Sequence, residues 1–235
     1  MIKFLLSIII WPIVGLTFCL GALLYTTVVI FLPSKKLHWL ARIIAWSVIL
    51  TGGQWLKIKG NPPLKENGPY LYLFNHQSIF DAFMIVASAR HYFTGVGAIE
   101  QFSYPVWGFL AKKYGLNPIE RKKIGSAIGS LAEVENALNN GVSAMIAPEG
   151  TRTLTGNLGP FKKGAFHVAK NTGITIIPVA LIGAFEAKNK NDWRVKPGIL
   201  STIFGDPITQ KEYDDISVAD LRDLVRSRMS ELMNN

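Results

Sequence analysis

The chain predicts an α/β fold, a mixed, mostly parallel sheet flanked by helices, preceded by an N-terminal membrane-anchoring helical segment. Three observations carry this expectation. Strand-like and helix-like segments alternate along most of the chain, the order expected when helices cover both faces of a sheet. Two apolar runs, residues 70–74 and 142–147, have the length of buried strands, and each ends abruptly in polar residues. Ahead of both, residues 4–32 contain no charged side chain, whereas about 20 apolar residues suffice to cross a bilayer.

The uncharged N-terminal run is too long for the apolar core of a cleaved signal peptide, normally about 7–15 residues. Leu32-Pro33-Ser34-Lys35 is also a poor cleavage signal, so a retained anchor is expected. Pro12, Gly15 and Gly21 interrupt the run and leave a kinked or re-entrant helix open. Residues 37–56 mix Trp39, Leu40, Ile43, Ile44, Trp46, Val48 and Ile49 with Arg42. That suits an amphipathic helix at the membrane surface with tryptophans at headgroup depth, the alternative being a first core helix. Gly60-Asn61-Pro62-Pro63 marks a loop. The expected division is anchoring and interfacial helices over residues 1–58 and a globular domain over 59–235. Lys35, Lys36 and Arg42 outweigh the lone Lys3, which puts the globular body on the cytoplasmic side of the cell (inner) membrane.

Further along, the strand at 70–74 is followed by a helix from about Asp81 to Ala89, a short apolar piece at 93–96, and an aromatic segment with Phe102, Tyr104, Trp107 and Phe109. Ile124, Ile128, Leu131, Val134 and Leu138 recur at helical spacing, and Asn140-Gly141 closes that helix. A buried strand at 142–147, a short helix at 164–170, and strands at 174–181 and 200–204 come next. The last helix starts at Ser217 with Asp220 at its third position and places Val218, Leu221, Val225, Met229 and Leu232 on one face.

The net charge of +9 suits nucleic acid, anionic lipid or phosphorylated substrates. The lysines come in scattered pairs without a nucleic-acid module, and the anchor favours the last two. The single cysteine, Cys19, excludes an internal disulfide and a multi-cysteine zinc site, and no H-E-x-x-H occurs. Gly95-Val96-Gly97 lacks the third glycine of a dinucleotide fingerprint, and Ala165 stands where a phosphate loop needs lysine. No metal and no resident cofactor are expected.

The chemistry concentrates in Asn75-His76-Gln77-Ser78-Ile79-Phe80-Asp81. Residues five apart sit about 140° from each other on a helix, so His76 and Asp81 cannot meet inside one. They meet if His76 lies in the strand-to-helix loop and Asp81 in the first helical turn, where the helix dipole favours a carboxylate. An imidazole so held can act as a general base on a hydroxyl. A second sharp segment, Pro148-Glu149-Gly150-Thr151-Arg152-Thr153, follows the other apolar run.

With Gly115-Leu116-Asn117-Pro118-Ile119-Glu120-Arg121 and Ile177-Pro178-Val179-Ala180, these segments line up in order. The set resembles the four blocks of the glycerolipid (lysophospholipid) acyltransferase family, most like its bacterial 1-acyl-sn-glycerol-3-phosphate acyltransferases. The resemblance covers roughly residues 70–207. It implies that His76 is the general base taking the proton from a glycerol hydroxyl and that Asp81 orients and polarises it. It further implies that Asn75, Arg121, Glu149, Gly150, Thr151 and Arg152 hold the phosphorylated glycerol, and that Pro178 shapes the acyl-donor side. The donor would be acyl-CoA or an acyl carrier protein thioester, the acceptor a membrane lipid, most simply lysophosphatidate, and the product phosphatidate. Glycerol 3-phosphate or another lysolipid as acceptor, and hydrolysis by the same His/Asp pair, remain open. Glu149 is not an obvious phosphate ligand and is expected to anchor Arg152 or a substrate hydroxyl. Pro118 replaces the usual bulky apolar residue, Ala147 an aromatic, and Thr153 a serine.

Overall fold

The structure, a computed structural model, describes residues 1–120 and 123–234. Its elements run α1 (Ile2–Val29), α2 (His38–Thr51), β1 (Gln54–Lys59), β2 (Tyr70–Phe74), α3 (Phe80–Ser88), β3 (Phe93–Ala98), α4 (Pro105–Tyr114) and β4 (Leu116–Ile119). Then follow α5 (Ile124–Asn139), β5 (Ser143–Ile146), α6 (Gly164–Thr172), β6 (Thr175–Ile182), α7 (Ala184–Ala187), β7 (Gly198–Phe204), α8 (Gln210–Tyr213) and α9 (Val218–Met233).

Among the described residues the strands form one seven-stranded sheet in the order β1-β7-β6-β2-β5-β3-β4. Every neighbouring pair is parallel except β6 and β7. The fold is therefore the mixed, mostly parallel sheet that the alternating pattern predicts. Side chains alternate across β2: Tyr70 and Tyr72 pack with α2 and α3 on one face, Leu71 and Leu73 with α5, α6 and α9 on the other. Burial on both faces is why the strand reads as an unbroken apolar run.

Two strands escape the sequence pattern, and both lie at sheet edges. In β1 only Gln54 and Leu56 are buried, so the segment reads as a continuation of the helix before it. In β4, Pro118 pairs opposite Gly97, and an edge strand tolerates the N–H that proline lacks. The division expected between residues 58 and 59 falls inside β1, so residues 54–58 belong to the sheet rather than to the helical segment. The interfacial helix expected over 37–56 stops at Thr51, where Gly52 and Gly53 turn the chain into β1. It buries Leu40, Ala45, Val48 and Ile49 in the core and leaves Trp39, Ile43 and Leu50 exposed.

Helix α1 is unbroken through Pro12, and it is long and apolar enough to cross a membrane. Its Gly21 marks a close approach rather than a break: a Cβ there would sit 2.6 Å from the Ile44 side chain of α2. One stripe, Ser7, Ile10, Val14, Ala22 and Tyr25, is buried against the domain. The other face, with Leu5, Ile9, Ile13, Leu16, Leu20 and Leu23, is exposed. Polar contacts tie the stripe down at both ends. Lys3 pairs with Asp192 at 2.9 Å, the Trp11 indole donates to Trp193 O at 2.8 Å, and the Ser34 hydroxyl donates to Lys113 O.

Candidate active site

Strands β2 and β5 are parallel neighbours with Leu73 opposite Ile146, so three residues on His76 stands level with Glu149. Both lie beyond the carboxyl ends of their strands, the edge where open α/β sheets place ligands.

The His76–Asp81 geometry meets the condition set by the spacing. His76 sits in the loop after β2 and Asp81 in the first turn of α3. The imidazole Nδ1 donates to Asp81 Oδ2 at 2.7 Å. The same oxygen accepts the backbone N–H groups of Gln77 at 2.6 Å and Ser78 at 2.8 Å. Three donors on one oxygen of a fully buried side chain leave the carboxylate no freedom to turn. With Nδ1 carrying its proton toward Asp81, the lone pair of the ring is on Nε2. The His76 side chain retains 17% of its exposure, so that nitrogen can meet a substrate.

Glu149 holds the backbone on which this pair is built. Its Oε1 accepts the His76 N–H at 2.8 Å and its Oε2 the Gly159 N–H at 2.9 Å. Burial pushes its carboxyl above the ordinary carboxylate range, opposed by those two N–H bonds. Both carboxylate oxygens accept backbone donors, and among the described residues no ion pair joins Glu149 to Arg152, the expected partner. The Thr153 N–H donates to His76 O at 2.8 Å and the Gln77 amide to Gly156 O at 3.0 Å, which closes the loop after β5 onto the loop after β2.

Asn75, Gly150 and Pro178 make backbone contacts within the fold. Asn75 is 1% exposed, and its amide exchanges two hydrogen bonds with the Leu181 backbone, at 2.9 and 2.7 Å. These bonds seal the end of β2 to β6. The Gly150 N–H donates to Ala147 O at 3.0 Å within a tight turn. Pro178 is buried inside β6 opposite Leu73, three residues short of His76, and its carbonyl accepts from Gly205 at 2.9 Å. Thr151 is exposed and Arg152 half-buried beside it. Arg121 lies outside the described residues. Ser78, Gln77 and Gly159 were missed by reading the sequence, since backbone-directed bonds between distant loops leave no local pattern.

A family model described as Acyltransferase matches residues 56–182. The chain is 33% identical over 172 residues to a 1-acyl-sn-glycerol-3-phosphate acyltransferase of Cocos nucifera, covering 71% of this chain and 56% of that relative. It is 30% identical over 173 residues to the Haemophilus influenzae protein of the same name, covering 72% of this chain and 71% of the relative. It spans about half the length of several plant relatives it matches. In fold it is similar to the crystal structure of the 1-acyl-sn-glycerophosphate (LPA) acyltransferase, PlsC, from Thermotoga maritima. That match has a TM-score of 0.82 at 19% identity and covers 97% of this chain and 94% of the other.

Proposed function

Since the chain belongs to the acyltransferase family, we propose that it transfers a fatty acyl group from an acyl thioester to the free hydroxyl of lysophosphatidate, giving phosphatidate. The observation that carries this reading is the His76 Nδ1–Asp81 bond of 2.7 Å, which leaves Nε2 as the base of the site. In this mechanism Nε2 removes the proton of the acceptor hydroxyl as its oxygen attacks the thioester carbonyl. The buried Asp81 carboxylate stabilises the imidazolium that forms. The C–S bond then breaks, the acyl group stays on the acceptor oxygen, and the departing thiolate takes the proton back from His76. No acyl-enzyme and no resident cofactor are needed. The donor is carried by coenzyme A or by acyl carrier protein, and Arg152 and Arg121 supply positive charge for the acceptor phosphate.

The acceptor already lies in a bilayer, and the uncovered apolar face of α1 supports membrane association. Contacts from Lys3–Asp192 at one end of α1 to Ser34–Lys113 just beyond the other support a helix lying along the domain within one leaflet. A helix of 28 residues is about 42 Å long, and one that spanned the bilayer would carry one of these contacts to the far side. In this reading the body lies on the cytoplasmic face of the cell membrane, marked by Lys35, Lys36 and Arg42 near the anchor.

The test is thioester consumption in detergent micelles with lysophosphatidate, comparing wild type with His76→Ala. Thiol release that requires both the acceptor and His76, with phosphatidate as product, is expected. Release indifferent to acceptor would replace the reading by hydrolysis. Glycerol 3-phosphate in place of lysophosphatidate separates the acceptor classes.

A further inference from the structure

One cation beside the His76 loop belongs to none of the four sequence blocks. Lys188 follows α7, whose last turn it closes by donating its N–H to Ala184 O at 3.0 Å. Its carbonyl accepts the Ser78 hydroxyl at 2.6 Å, and Ser78 is 1% exposed. Lys188 is thus pinned to a residue two positions after His76. Arg152 is pinned to the same loop through its neighbour, since the Thr153 N–H donates to His76 O. The fold brings two cations to one short loop by two independent backbone tethers.

Neither has an acid to itself. Among the described residues neither Arg152 nor Lys188 forms an ion pair, and the Lys188 ammonium donates only to its neighbour's carbonyl, Asn189 O, at 2.7 Å. The acid whose field reaches Lys188 is Asp192, and that carboxylate is already held by Lys3 at 2.9 Å and Arg194 at 2.9 Å. Burial lowers the Lys188 pKa from its ordinary value, and the charge of Arg152 lowers it further. A lysine with no task would swing its ammonium into water, away from a like charge. Here the tethers hold both residues at one loop and the charge of Arg152 reaches Lys188, an arrangement that a doubly charged oxyanion would relieve.

We propose that Lys188 binds the acceptor's phosphate together with Arg152, so that the site selects a phosphorylated acceptor. Arginine supplies a planar fork for two oxygens and lysine a point charge for the remaining one. This assignment deepens the acyl-transfer reading and rests on it.

The experiment measures initial rates in micelles for wild type, Lys188→Met and Lys188→Arg, varying lysophosphatidate and the thioester separately. The methionine keeps the apolar stem and the backbone tether to Ser78. Lys188→Met should raise KM for lysophosphatidate about 10-fold or more, the loss expected for one charge-assisted contact. KM for the thioester and the thermal midpoint should stay at wild-type values, and Lys188→Arg should restore most of the acceptor KM. An unchanged acceptor KM in Lys188→Met overturns the assignment alone. So does a fall in kcat with both KM values altered and no rescue by arginine, which would make Lys188 a loop-packing residue. A wild-type enzyme that does not acylate lysophosphatidate overturns the reading beneath it, and the assignment with it.

Discussion

The loops after β2 and after β5 face each other across the same edge of the sheet, yet they are held in opposite ways. In the first, Asp81 gathers its three donors from within five residues, His76, Gln77 and Ser78. In the second, Glu149 reaches 73 residues back to His76 and ten forward to Gly159. One carboxylate is a local device at a helix start, where spacing alone decides whether it works. The other is a long-range clamp that exists only because β2 and β5 lie in register. The difference teaches where chemistry and support divide: in the proposed mechanism the local loop carries the reacting group, and the distant one fixes the backbone under it.

If that division is right, the largest effect comes from the local carboxylate. Asp81→Asn should lower kcat by about 10²–10⁴-fold, since an amide neither stabilises the imidazolium nor fixes the tautomer that frees Nε2. KM for either substrate should move little. Steady-state kinetics with lysophosphatidate checks this, and a variant that keeps wild-type kcat would break the comparison at its stronger end.

The same division explains what the sequence disclosed. The sheet class, the buried strands and the His76–Asp81 pair were legible because each rests on residues close in the chain, at periods of two, 3.6 or a single loop. Helix α9 was legible to its cap, where Ser217 and Asp220 exchange side-chain and backbone bonds. Strands β1 and β4 were not, because an edge strand needs only part of its side chains buried. The backbone bonds of Asn75 and Glu149 were not legible either. Polar residues turned toward distant backbone look in sequence like polar residues turned toward a ligand. For Lys188 no signal existed, as only the Ser78 tether brings it to the site.

Glu149→Gln probes the clamp and should cost less. An amide presents one acceptor and one donor to two backbone N–H groups, so either His76 or Gly159 loses its partner. That loss is about 1–3 kcal/mol of stability, with a smaller fall in kcat than Asp81→Asn as His76 shifts. The pH dependence carries the sign. Because burial raises the folded pKa of Glu149 above its ordinary 4.5, the folded protein holds that proton more tightly than the unfolded chain. Wild type should therefore gain stability relative to Glu149→Gln as pH falls through the raised value toward 4.5, and gain nothing above it. Denaturant unfolding of both proteins across that range tests it. A constant difference between them would mean that the two N–H bonds cancel the cost of burial.

The smallest effect should come from the turn that delivers Glu149. Gly150 has a φ of +67°, and its N–H closes the turn onto Ala147. An alanine Cβ would meet the Lys162 side chain, with Cε at 3.1 Å and Nζ at 3.2 Å. That end of a lysine can swing aside, so the cost lies in the backbone, about 1–2 kcal/mol for a left-handed conformation in a residue with a Cβ. For a chain of this size it corresponds to a fall of about 2–8 °C in the thermal midpoint. Activity at low temperature should be nearly retained, because the His76–Asp81 bond lies within its own loop and Glu149 keeps both of its backbone partners. A Gly150→Ala protein that melts like wild type but loses acyl transfer would reverse the assignment. It would mean that the amide or surface at Gly150 serves the substrate directly, and that the loop after β5 carries chemistry as well as support.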